Sequence, residues 1–117
     1  MDYLGLLPTT SNRIAKYSEL VAGGGIARSI NSVAANTTLA AAVSTDYVYF
    51  ASGTITLTLP TAIGNSNQYT IKNTGTGVIS ITTTSAQTID GGAAPITITR
   101  QNNSLTFISN GTAWFLI

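Results

Sequence analysis

From Thr54 to Leu59 the chain alternates hydroxyl and aliphatic side chains without a break, with Ile55, Leu57 and Leu59 on one side and Thr54, Thr56 and Thr58 on the other. Successive side chains of a strand point to opposite faces, so this is the pattern of a strand with one face in a core and the other in water. Pro60 has no N–H to give to a ladder and ends the run. The same reading predicts further strands over 47–51, 68–73, 78–83, 95–100, 105–109 and 113–117, and an earlier extended pair over 26–33 and 37–43 that turns near Ala35 and Asn36. The connections carry turn residues: Ser52 with Gly53, Thr74 to Gly77 with two glycines, Asp90 before Gly91 and Gly92, and the hairpin signal Asn110-Gly111. Short strands at regular spacing predict an all-β fold, an antiparallel β-sandwich or jelly-roll-like domain. The likeness of 54–60 to 95–100 comes only from alternating Thr with aliphatics, so no true internal repeat is visible.

The pattern changes at Gly23-Gly24-Gly25. Before it, Ile14, Tyr17, Leu20 and Val21 recur at intervals of three and four, which predicts one short helix capped by Thr10, Ser11 or Asn12 and ended by Gly23. So short a helix needs a surface to lie against. Ahead of it, Tyr3, Leu4, Leu6 and Leu7 form an apolar hook before Pro8. Exposed apolar clusters mark interaction sites. Residues 1–25 therefore read as an extended and short-helix attachment segment, 26–37 as an extended connection and 38–117 as the β-domain, with Tyr3, Leu4, Leu6, Leu7, Arg13, Ile14, Lys16 and Tyr17 as the residues that dock to another protein.

Charge sharpens this division. Of nine charged residues, Asp2, Arg13, Lys16, Glu19 and Arg28 lie at the start, and only Asp46, Lys72, Asp90 and Arg100 serve the rest. A monomer ordinarily keeps its surface wet with charge; here Thr, Ser, Asn and Gln do that work. A chain of 117 residues also buries a modest share of its surface alone. Both facts predict a homo-oligomer. A hydrophobic share of 44% and a net charge of +1 exclude a disordered chain. No apolar run is long enough to span a bilayer, and Asp2 with Pro8 breaks the pattern of a signal peptide, so synthesis in the cytoplasm without membrane insertion is expected. There is no basic block to hold nucleic acid.

From Asp46 onward the sequence resembles a β-module of tailed-phage virion proteins, a group that includes tail fibres, head fibres and decoration proteins. The resemblance rests on the aromatic strand Asp46 to Phe50, Thr54 to Pro60 ending in Leu-Pro, and Tyr69 to Asn73 followed by Thr74-Gly75-Thr76-Gly77. It continues through Gln87 to Gly91 and Leu105-Thr106-Phe107-Ile108-Ser109-Asn110-Gly111 before Trp114. It spans about seventy residues. It implies a structural β-domain, usually trimeric, on the outside of a bacteriophage particle made in a bacterial cytoplasm. The start of the chain, Tyr3 to Leu7 with Arg13 to Leu20, also looks like the attachment segments that precede such modules. The resemblance brings no catalytic residue with it.

Chemistry is poorly provided for. With no His and no Cys, the usual metal ligands, general base and thiol nucleophile are missing. Paired-carboxylate catalysis would have to use Asp46 and Asp90, but Asp90 before two glycines reads as a turn and Asp46 as the opening of a strand. Lys72, between Ile71 and Asn73, reads as an outward strand residue, and no Ser-x-x-Lys or phosphate-loop pattern occurs. The expectation is no enzyme, no cofactor and no metal. Tyr47, Tyr49, Tyr69 and Trp114 are the residues offered for a subunit or glycan contact, with packing in the core as the plainer alternative for Trp114. The leading expectation is a homotrimeric capsid decoration or head-fibre protein at the virion surface, bound to the capsid or another virion protein through its first residues. The rival is a tail-fibre or receptor-binding module for host surface glycan.

Overall fold

A computed structural model describes residues 26–117; the attachment residues and the helix expected before Gly23 lie outside the described residues. The strands are β1 (Ala27–Val33), β2 (Thr37–Thr38), β3 (Thr45–Ala51), β4 (Ile55–Thr58), β5 (Gln68–Asn73), β6 (Ile79–Thr82), β7 (Ile96–Ile98), β8 (Ser104–Ser109) and β9 (Trp114–Leu116). They form a five-stranded sheet in the order β1-β3-β5-β8-β9 and a four-stranded sheet in the order β2-β4-β6-β7. The fold is all-β, with no helix among the described residues.

The expectation of an antiparallel fold is corrected: both sheets are mixed. In the larger sheet β1, β3 and β5 run parallel, and in the smaller β2, β4 and β6 do the same. The antiparallel pairs are β5–β8 and β8–β9 in the larger sheet and β6–β7 in the smaller. The chain therefore winds, laying one strand in each sheet before returning to the first, through β1 and β2, then β3 and β4, then β5 and β6. Ser52-Gly53 and Thr74 to Gly77 are corners between sheets, whereas Asn110-Gly111 closes the antiparallel hairpin β8–β9 as expected. The expected pairing of 26–33 with 37–43 does not occur, since these stretches enter different sheets. Residues 26–37, expected as a connection, supply a full strand of the larger sheet.

The winding is a structural repeat that the sequence conceals. Ala27 lies beside Thr45, Thr37 beside Leu57, Tyr47 beside Tyr69 and Ile55 beside Ile79, so the step between stacked neighbours lengthens from coil to coil. No fixed period can register such a series.

Between the sheets lies one apolar core. The larger sheet supplies Tyr47, Tyr49, Tyr69, Ile71, Phe107 and Trp114, and the smaller supplies Ile55, Leu57, Leu59, Ile79, Ile81 and Ile98. The alternation read in the sequence is obeyed, with Ile55 and Leu57 buried and Thr56 and Thr58 half-buried on the outer side. Replacing Leu57 by Ala is expected to lower unfolding free energy by about 2 to 5 kcal/mol, because a fully buried aliphatic leaves a cavity. Thr56→Ala, on the opposite face, should cost well under half as much. Chemical denaturation of both variants checks this, and equal losses would contradict the register.

Candidate functional site: the outer faces of the two sheets

The four aromatic residues offered for a surface contact are all inside. Tyr47 and Tyr49 are 5% and 4% exposed, and Tyr69 and Trp114 are fully buried. Tyr47 stacks on Tyr69 with ring centroids 5.1 Å apart, as in-register neighbours on parallel strands allow, and Trp114 meets Tyr69 edge-on at 5.4 Å. For Tyr47, Tyr49 and Tyr69 a surface role as a glycan platform or subunit contact is therefore corrected to core packing, and Trp114 takes the core position that was its plainer reading.

Their polar ends have a separate task. Residues 40–42 run outside any strand, and their backbone groups must find partners elsewhere. The Tyr49 hydroxyl accepts from the Ala40 N–H at 3.2 Å, the Tyr47 hydroxyl accepts from the Ala42 N–H at 2.8 Å, and the Tyr69 hydroxyl donates to the Ala40 carbonyl at 2.7 Å. Asn67 completes the latch, donating to the Ala42 carbonyl at 2.7 Å and accepting from the Thr45 N–H at 3.0 Å. The alanine run expected as a strand is instead held by tyrosine hydroxyls and one asparagine.

This latch predicts an alkaline limit. Burial, which disfavours the phenolate, raises the Tyr49 and Tyr69 hydroxyls above the ordinary tyrosine value near 10, against smaller lowering effects from the Ala40 backbone and from Asn65 and Asn67. Above that pH the unfolded chain gives up these protons before the folded one does. Stability is therefore full below pH of about 10 and falls as pH rises through the folded values. Thermal melts should show the midpoint level up to about pH 9 and dropping beyond about pH 10, with tyrosinate absorbance rising together with unfolding. A flat profile to pH of about 12 would contradict the buried hydroxyls.

The acids and the lysine are placed apart. The Asp46 carboxylate accepts from the Gln68 N–H at 3.1 Å, tying the start of β5 to β3. Asp90 occupies the turn with φ of 53° and accepts from the Leu116 N–H at 3.0 Å. Lys72 sits half-buried on the outer side of β5. Among the described residues no group of three or more acidic, His or Cys side chains is arranged to hold a metal. A shallow pocket of about 210 Å³ between Ala41 and Val43 on one side and Thr61 to Asn67 on the other contains no aromatic or ionisable side chain. Ligand pockets usually start near 300 Å³.

What distinguishes the molecule is the contrast between its two outer faces. The smaller sheet presents Thr56 and Thr58 from β4, Ser80 and Thr82 from β6 and Thr97 from β7, an array of hydroxyls. The larger sheet presents three rows. Arg28, Asp46, Gln68, Ile108 and Phe115 form the first; Ile30, Val48, Thr70, Thr106 and Ile117 the second; Ser32, Phe50, Lys72 and Ser104 the third. Ile30, Phe50 and Ile117 are 65%, 37% and 69% exposed. The apolar residues occupy the flanks, while the central strand β5 shows Gln68, Thr70 and Lys72, with the Thr70 and Thr106 hydroxyls 3.0 Å apart. A strand that is apolar on both sides, such as Tyr47-Val48-Tyr49-Phe50, reads as one covered on both sides. That signal was present in the sequence for β3 and for 114–117.

No protein-family model matches the chain, and a search of curated proteins finds no significant relative.

Proposed function

We propose that the chain is a structural protein of a tailed-phage particle, a capsid decoration or head-fibre protein displayed at the virion surface as a homotrimer. Its role is burial at interfaces, without covalent chemistry: the β-domain assembles with copies of itself, and residues 1–25 fasten it to the capsid or another virion protein. The observation that carries this reading is the contrast between the outer faces, one of hydroxyls suited to water and one with apolar flanks suited to a protein neighbour. The resemblance of residues 46–114 to virion modules supplies the setting, and the paucity of charge after Arg28 agrees with a chain that shares its surface.

The glycan-binding alternative required an aromatic surface, and the four rings that would form it are core residues. The deciding experiment is incorporation into particles lacking the wild-type protein. Deleting residues 1–22 should leave a folded β-oligomer by circular dichroism and light scattering that no longer joins particles. Leu6→Asp and Arg13→Glu should weaken incorporation in the same direction. Normal incorporation of the truncated chain would show that the β-domain itself holds the particle, and binding of the purified protein to host cells would favour the receptor-binding reading.

A further inference from the structure

We infer that residues 14–21, outside the described part of the chain, fold back onto the end of their own β-domain, with Leu20 and Val21 filling the hollow between residues 41–43 and 61–67. That hollow lies where the described chain begins. Strands β1 and β3 run parallel with Ala27 beside Thr45, and the Ala27 N–H donates to the Ser44 carbonyl at 3.1 Å, so Ile26 emerges next to Val43. Val43 and Ile63, 90% and 68% exposed, line the hollow together, and Ile26 is exposed as well. Large apolar side chains are thus gathered in water at one end of the sandwich, around a cavity. Its walls are already held in place. The Asn67 side chain donates to the Ala42 carbonyl at 2.7 Å, the Asn67 N–H donates to the Asn65 side-chain oxygen at 2.8 Å, and the Asn65 N–H donates to the Ala62 carbonyl at 3.2 Å. These polar groups satisfy one another and no ionisable side chain lines the hollow, so it selects an apolar occupant. A volume of about 210 Å³ suits aliphatic side chains better than a free ligand.

Connectivity selects the chain's own residues as that occupant. Val21 stands five residues before Ile26, a reach of about 17 Å when extended, and Gly23-Gly24-Gly25 can reverse the chain at no steric cost. So short a tether sets an effective concentration on the order of millimolar, which a second copy at micromolar concentration does not match. The stripe of Ile14, Tyr17, Leu20 and Val21 lacks a surface to lie against, and this one is apolar and adjacent. Eight residues at 1.5 Å each make a helix about 12 Å long. The outermost strands of the larger sheet stand about 19 Å apart, so the whole stripe stays over the end of the sandwich. Lys16 and Glu19 fall outside the stripe and keep to water. The attachment segment is thereby divided: Ile14 and Tyr17 serve their own domain, while Tyr3, Leu4, Leu6 and Leu7 leave from one fixed end of it toward a partner. This goes beyond the particle reading and holds whatever those residues bind.

Two measurements on the purified full chain test this. Trypsin cleavage after Lys16, followed by mass spectrometry, should be at least about tenfold slower in the wild type than in Val43→Asp, because cleavage tracks the undocked population. Val43 is exposed and far in sequence from the cleaved bond, so a changed rate reports the contact and not the segment's own propensity. Thr97→Asp, exposed on the far edge strand β7, should match the wild type. The chain contains no cysteine, so Val21→Cys with Ile63→Cys reads the contact directly. Under mild oxidation this pair should close a disulfide within one chain, well ahead of Val21→Cys with Thr97→Cys. If Val43→Asp fails to fold, the disulfide pairs decide alone. Equal tryptic rates in the wild type and a folded Val43→Asp, or equal disulfide rates in the two pairs, would overturn the contact. A disulfide formed only between chains would overturn the return to the same domain and give the hollow to a neighbour's segment. No particle enters either measurement, so failure here leaves the particle reading standing.

Discussion

Replacing Trp114 by alanine is expected to lower unfolding free energy by about 3 to 5 kcal/mol, the range for losing a large buried aromatic. The indole is fully buried and meets the Tyr69 ring edge-on, and its N–H donates to the Pro60 carbonyl at 3.2 Å. It also sits where the antiparallel strands close the winding. The Trp114 backbone N–H donates to the Thr88 carbonyl and its own carbonyl accepts from the Asp90 N–H, so the side chain anchors a strand that in turn holds the 88–92 turn. Small domains have only about 5 to 15 kcal/mol in total, so the variant should be at the edge of folding. Trp114→Phe should recover most of the packing and still lose about 1 kcal/mol for the Pro60 carbonyl left without a donor. Urea denaturation of both variants checks the order, and equal stability of Trp114→Phe and Trp114→Ala would contradict it.

The second large effect is expected at Gly77. A methyl group there would overlap the Gly53 carbonyl and lie 2.7 Å from the Thr54 nitrogen, all of it backbone that cannot rotate away. These atoms belong to the corner preceding β4, and Gly77 to the corner preceding β6, so the two corners are stacked in near contact. Just beyond, the Ile55 N–H donates to the Val78 carbonyl at 3.2 Å and starts the β4–β6 ladder. Asn73, fully buried, fixes the same corner by donating to the Gly77 carbonyl at 2.8 Å and the Ile98 carbonyl at 3.0 Å and accepting from the Gly75 N–H at 3.0 Å. Gly77→Ala must therefore push the coils apart, at about 3 kcal/mol or more. Gly92→Ala is the control, since its added carbon meets nothing closer than the Ile89 carbonyl oxygen at 3.6 Å. Thermal melts should separate the two clearly, and a Gly77→Ala variant as stable as Gly92→Ala would refute the stacked corners.

Strand positions were legible in the sequence because they depend on local alternation. Residues 68–73 form a strand over the whole expected range, and 54–59, 78–83 and 105–109 differ only at their ends. Strand pairing was not legible, because alternation says which side of a strand is buried and nothing about which neighbour it has. Ser52-Gly53 turns the chain equally well into a hairpin or around a corner. Residues 37–43 failed as a strand for a different reason. Only Thr37 and Thr38 pair with β4, and the alanines that follow are satisfied by hydroxyls of Tyr47, Tyr49 and Tyr69, partners that no local pattern discloses. Tyr47, Tyr49 and Tyr69 were given the wrong side of the sheet, whereas core packing was already the plainer reading for Trp114. Val48 and Phe50 take the strand's other side, which is the outer face of the sheet.

The winding also orders events at the ribosome. Domains form as the chain emerges, earlier segments first. The coils of β1 to β6 can stack in that order, each new strand laid beside one already made. Yet β5 obtains its second neighbour only with β8, and the core obtains Phe107 and Trp114 only when residues 104–114 arrive. Until then the newest coil presents Tyr69, Ile71, Ile79 and Ile81 beside open strand edges, which is the kind of surface that aggregates or recruits holdase chaperones. A stalled or prematurely terminated chain would thus be a sticky end waiting for a lid, so expression of truncated forms is the step at which this protein is most exposed to misassembly.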